Sequence, residues 1–98
     1  MTLTHRWRAI DREAIHLRVW DAECVAYDEL SGNTHLLSSF AGEALAQLCR
    51  EPAPRCAALL ALDVAAQLAL ERDASLDQAL AACLDEFERL GLAERSAD

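Results

Sequence analysis

The chain contains no lysine. Its nine basic residues are all arginine, scattered from Arg6 to Arg95, against seventeen Asp and Glu, for a formal charge of −8 over 98 residues. Proteins that hold a phosphate backbone need a dense basic face, because counterion release drives that affinity; this charge pattern argues against nucleic acid. Aromatics make up only 5% of the residues, and there are three glycines and two prolines. No apolar run exceeds the seven residues Cys56–Leu62, far short of the roughly 20 that cross a bilayer. Met1 to Trp20 has no apolar signal-peptide core. The expected compartment is therefore the cytoplasm, with reduced thiols. The four cysteines, Cys24, Cys49, Cys56 and Cys83, include no CxxC pair. They read as small hydrophobes. A zinc site using His5, His16 or His35 lacks ligand spacing. P-loop, GxGxxG, HExxH and EF-hand signatures are also missing. Ser31 and Ser39 have no visible acid–base partner, and Asp85-Glu86 point in different directions from one helix. No catalytic residue, cofactor or metal is expected, and the chain reads as a non-enzyme.

Hydrophobic residues make up 53% of the chain, too many for a disordered or collagen-like chain. The length fits one domain over residues 1–98. Such a small domain has little spare stability, so a partner or a homodimer is a natural expectation. From Glu71 to Asp98 there are eight acids and three arginines, which favours basic partners.

The first third reads as β-structure. His16-Leu17-Arg18-Val19-Trp20 alternates polar and apolar, as a half-buried strand does. After Asp21-Ala22-Glu23, the run Cys24-Val25-Ala26-Tyr27-Asp28 reads as a second strand. Leu30-Ser31-Gly32-Asn33 supplies a turn, because Gly and Asn tolerate positive φ. Thr34-His35-Leu36-Leu37 then forms a third strand, completing an antiparallel meander.

The remainder reads as three helices. The first starts at a Ser38 or Ser39 cap, repeats Phe40, Ala44, Leu45 and Leu48 at helical spacing, and stops at Glu51-Pro52-Ala53-Pro54. The second runs from about Pro54 to Leu70, with Asp63 and Gln67 its clear polar interior positions. It has two readings: a central buried helix, or a helix whose Leu59, Leu62, Val64 or Leu68 form a dimer or enzyme-docking patch. Exposed leucines would favour the second. The third runs from Leu76 to Leu90, capped by Ser75 and stopped by Gly91. Leu76, Leu80, Cys83, Phe87 and Leu90 form its expected core stripe. Leu84, roughly 80° off that stripe at 100° per residue, lies beside Asp77, Ala81 and Glu88. That flank reads either as part of a wide core face with solvated charges or as a groove edge.

Several runs together carry a resemblance. Trp20-Asp21, Val25-x-Tyr27-Asp28 and Ser31-Gly32-Asn33-Thr34-His35-Leu36-Leu37-Ser38, then an Ala/Leu-rich helix and Leu84-x-x-Phe87-x-x-Leu90-Gly91-Leu92, resemble PqqD-like proteins. They look most like the branch described as the PqqD-family peptide chaperone of the HPr-rel-A system. The resemblance covers about residues 7–95, and the Ser-Gly-Asn-Thr-His-Leu-Leu run is its most specific part. It implies an α+β fold, with a three-stranded antiparallel β-meander followed by three helices in a winged helix-turn-helix-like arrangement. It also implies a non-catalytic RiPP recognition element: a domain that binds a precursor or leader peptide as a strand added to the third strand. The peptide lies against the third helix and is presented to a modifying enzyme. Carried over, the peptide-binding residues are Thr34, His35, Leu36 and Leu37 on the strand, and Asp77, Ala81, Leu84 and Glu88 on the helix flank. A kinase-like partner is part of the same implied company. This chain departs from the better-known branch in its more apolar second helix and its proline-containing linker.

The residues support a clamp on their own terms. An edge strand presents unpaired N–H and C=O groups that another chain can satisfy. A leucine between two acids would seat an apolar side chain and attract neighbouring Lys or Arg. Trp7 and Trp20 read equally as partner anchors or as covers for one end of the core. His35 reads as a contact residue or as an ordinary strand residue. The other functional readings are a docking or regulatory subunit that clamps no peptide, and a DNA-binding winged helix. The latter is disfavoured because Asp77, Asp85, Glu86 and Glu88 face only Arg89 on the third helix.

Overall fold

Trp7 and Ala9 alternate with Arg6 and Arg8, and that alternation forms a strand of its own. The computed structural model describes residues 6–21 and 23–96. Its elements in order are β1 (Arg6–Ala9), β2 (Ile15–Trp20), β3 (Glu23–Asp28), β4 (Asn33–Ser38), α1 (Ser39–Arg50), β5 (Arg55–Cys56), α2 (Ala57–Gln67), α3 (Ala74–Leu90) and β6 (Ala93–Arg95). His5 and Ala22, which entered the zinc and turn readings, lie outside the described residues.

The fold is α+β. β2, β3 and β4 form the expected antiparallel meander, in that order. A second antiparallel sheet, β5-β1-β6, was not expected from the sequence. Its strands are only two to four residues long, too short to give a period-2 signal. Trp7 pairs with Arg95 on one side and Arg55 on the other. This sheet ties the two ends of the described chain to the linker before α2.

The core lies between the meander and the helices. Ile15, Cys24, Ala26 and Leu37 face inward from the meander, and Leu45, Leu48, Leu60, Val64, Leu80, Leu84 and Phe87 meet them from the helices. The helix α1 packs on the inner face of all three meander strands and on β1. Its start is fixed by Ser38, whose hydroxyl accepts from the Ala41 N–H at 3.1 Å. This satisfies one of the donors left over at a helix N-terminus.

Three helix boundaries differ from the sequence reading. α2 starts at Ala57 rather than about Pro54, because Arg55–Cys56 pair with β1 as β5. α3 is capped by Asp73, not Ser75: the Asp73 carboxylate accepts from the Leu76 N–H at 2.9 Å, and the helix starts at Ala74. α2 ends at Gln67 rather than Leu70. There the chain turns through Ala69 at φ 55°, with the Leu70 N–H donating to the Ala65 carbonyl at 2.8 Å. α3 stops in the same manner at Gly91, φ 78°, with Leu92 N–H donating to Phe87. Both are left-handed caps, but only one uses glycine.

Candidate functional site

The strand assigned to peptide binding is β4, which with β2 is one of the two edge strands of its sheet. It pairs with β3 throughout, from Asn33 opposite Asp28 to Ser38 opposite Glu23. Among the described residues no strand lies on its other side. Half of its backbone N–H and C=O groups therefore point along the plane of the sheet, away from β3. Thr34 and Leu36 face outward, and Leu36 is 69% exposed. Leu37 is buried and His35 half-buried. The His35 Nε2 is sealed from solvent and has no hydrogen-bond partner among the described residues.

The hairpin leading into β4 is held by Asp28, the last residue of the Val-x-Tyr-Asp run. Its buried carboxylate accepts from the Leu30 N–H at 3.0 Å and the Ser31 hydroxyl at 3.2 Å. The Ser31 Oγ in turn accepts from Asn33 N–H. Gly32 takes φ 77° to close the turn. This network explains why Asp28 and the Ser31-Gly32-Asn33 run occur together: they fix the register of the edge strand.

The helix half of the expected site is corrected. Leu84 is 1% exposed and belongs to the core, as does Ala81. The buried face of α3 is Leu76, Leu80, Ala81, Leu84 and Phe87, while Cys83 and Leu90 are only partly buried. The core stripe is thus rotated toward Leu84, because β6 packs against this helix and Leu92 and Ala93 extend the core there. Asp77 pairs with Arg72 at 3.1 Å, and Glu88 with Arg95 at 3.1 Å. Arg95 also sits over the Trp7 ring, 5.4 Å from its centroid. Glu88 therefore faces the second sheet. Trp7 is a core residue, and Trp20, at 52% exposure, is not.

A shallow, open hollow with both apolar and acidic lining lies elsewhere. Phe40, Leu70, Leu76 and Ala79 line it together with Glu71, Asp73 and Ser75, over about 360 Å³. Phe40 follows Ser38, the last residue of β4, by two positions. The hollow thus opens where the chain leaves the edge strand and meets the start of α3.

The apolar second helix is divided. Leu60, Ala61, Val64 and Ala65 are buried, whereas Leu59 (59%) and Leu62 (48%) are exposed. Its single charge, Asp63, is ion-paired with Arg55. The cysteines are thiols: burial pushes Cys24 and Cys83 up, and pushes Cys49 up to about 11. Among the described residues no cluster of metal-ligating side chains occurs, and no helix is long and apolar enough to cross a membrane.

Compared with family models, curated proteins and solved structures, the chain matches none.

Proposed function

We propose that this chain is a cytoplasmic, non-catalytic adaptor of the PqqD-like kind. It binds an extended peptide by strand addition at β4 and presents it to a modifying enzyme. The observation that carries this reading is the edge strand itself. β4 offers six residues, no proline and one open side, and its register is pinned by the Asp28 turn. A long unprotected edge of this kind invites aggregation unless a partner covers it. Backbone pairing supplies affinity with little dependence on sequence, and side-chain seats supply selectivity.

The selectivity seat is the hollow between Phe40, Leu70, Leu76 and Ala79, in place of the flank around Leu84. Glu71 and Asp73 in its lining favour a peptide with Lys or Arg next to an apolar anchor. The outer side of α3 carries Asp85 and Glu86, which repel a phosphate backbone and weigh against a DNA-binding winged helix.

The test uses peptides translated from short reading frames beside the gene. N-methylation of alternate amides in a binding peptide abolishes binding in one phase and spares it in the other, because only every second amide faces β4. Leu70→Asp weakens binding while leaving the fold intact. Equal tolerance of N-methylation in both phases contradicts strand addition.

A second reading has its own observation. The exposed Leu59 and Leu62, on a helix face whose single charge is already paired, form a surface for an enzyme such as the kinase-like partner. Binding of that partner lost in Leu59→Asp/Leu62→Asp, with no peptide bound at β4, would make the chain a docking subunit.

A further inference from the structure

Among the described residues no helix covers the outer face of the meander. Its register sets three rows of outward side chains: His16, Tyr27 and Thr34; Arg18, Val25 and Leu36; Trp20, Glu23 and Ser38. α1 packs on the opposite face, so this one meets solvent. Trp20, Tyr27 and Leu36 are all exposed, Tyr27 by 42%. His16, Arg18, Trp20, Val25 and Tyr27 surround a hollow of about 340 Å³ on it. Trp, Tyr and Arg around an apolar centre are the side chains that dominate binding at protein interfaces.

We propose that this face joins two copies of the chain. Charge decides the occupant. Among the described residues seven of the nine arginines are ion-paired, and Arg18 has no ion pair. Glu23, on the next row, is also in no ion pair among the described residues. The fitting partner must therefore offer apolar side chains together with both a carboxylate and a guanidinium. A second copy of the same face offers all three. The chain as a whole carries a net charge of −8, but the Arg18 and Glu23 charges on this face cancel, so two copies of it meet without net repulsion there. A two-fold contact places each Arg18 near its partner's Glu23, with Trp20, Val25 and Leu36 packed between.

The expected strength follows from size. Three rows across three strands span about 10 by 14 Å between Cα atoms. That is smaller than the roughly 800 Å² per partner of a standard stable interface. The dimer is accordingly weak and reversible. It leaves the β4 edge open, since the face and the edge point in perpendicular directions. It does not rest on the peptide-clamp reading.

The experiment is sedimentation equilibrium of the intact chain from micromolar to millimolar concentration, with far-ultraviolet dichroism to confirm that each variant folds. The mass rises from 10.8 kDa toward twice that value. Trp20→Glu abolishes the rise. Arg18→Glu weakens association by about tenfold or more, and Arg18→Glu combined with Glu23→Arg restores it. A constant monomer mass up to millimolar concentration overturns the proposal. So does association that survives Trp20→Glu, or a double variant no better than Arg18→Glu alone.

Discussion

Gly42 on α1 lies so close to Cys24 on β3 that a methyl group added there would stand 2.6 Å from the Cys24 Cβ and 2.8 Å from its Sγ. Both residues are buried. The missing side chain is what lets the first helix approach the central strand of the meander so closely. Gly42→Ala is expected to destabilise the fold by about 1–3 kcal/mol through overpacking. Cys24→Ala in the same chain relieves the sulfur contact but not the Cβ contact, so the rescue is partial. Chemical denaturation of the two single variants and the double variant checks this; full tolerance of Gly42→Ala contradicts the close approach.

Asp28 makes a second prediction. Its carboxylate receives two hydrogen bonds within the β3–β4 turn while nearly buried. Asp28→Ala strands both donors and is expected to cost about 1–3 kcal/mol. Asp28→Asn keeps one acceptor and costs less. Because the turn fixes the register of β4, amide exchange along Asn33–Ser38 should rise in Asp28→Ala before global unfolding. Unchanged exchange there would show that the register is held by something else.

Ala69 is a third case. It holds φ 55° at the end of α2, the position that Gly91 fills at the end of α3. A left-handed alanine costs roughly 1 kcal/mol relative to glycine. Ala69→Gly is therefore expected to raise the unfolding free energy by about that amount, against the usual penalty for adding a glycine. A loss of stability would contradict the left-handed cap.

The thiol of Cys49 supplies a pH prediction. Burial lifts it from 9.0 to about 11, partly offset by Arg12. The unfolded chain then loses its proton first as pH rises. Stability from this group is complete below pH 9 and is lost between pH 9 and 11. Cys49→Ala should flatten the fall in stability over that window. The same shift keeps the group protonated at neutral pH, so its alkylation is slow compared with an exposed cysteine. Rapid alkylation of Cys49 in the folded protein would contradict it.

Legibility in the sequence followed element length and the number of surfaces each element meets. The three meander strands were readable between His16 and Leu37, from the polar–apolar alternation of His16–Trp20 and from the turn residues Ser31-Gly32-Asn33, as were a cap at Ser38 or Ser39 and the Gly91 stop, which depend on local chemistry alone. The second sheet was not readable, although Trp7 and Ala9 do alternate with Arg6 and Arg8 and Ala93 follows Leu92. Two-residue and three-residue strands exist only because partners distant in sequence complete them. For a related reason the sequence left Leu84 open between a wide core face and a groove edge, and the structure places it in the core. Periodicity gives the angle between residues on a helix, but not which arc a neighbour will cover. β6, invisible in the sequence, packs against α3 and helps bring Leu84 inside. Of the expected site, the strand Thr34–Leu37 stands at an open edge. On the helix flank, Ala81 and Leu84 are core, while Asp77 and Glu88 are engaged by Arg72 and Arg95.

An NMR titration decides whether β4 receives a peptide strand. Labelled protein is mixed with peptides translated from short reading frames beside the gene. Strand addition gives amide shifts concentrated in Asn33–Ser38, new protection of alternate β4 amides, and side-chain shifts at Phe40, Leu70 and Leu76. Shifts confined to Leu59 and Leu62 on addition of a kinase-like partner, with β4 silent to every peptide, would contradict it.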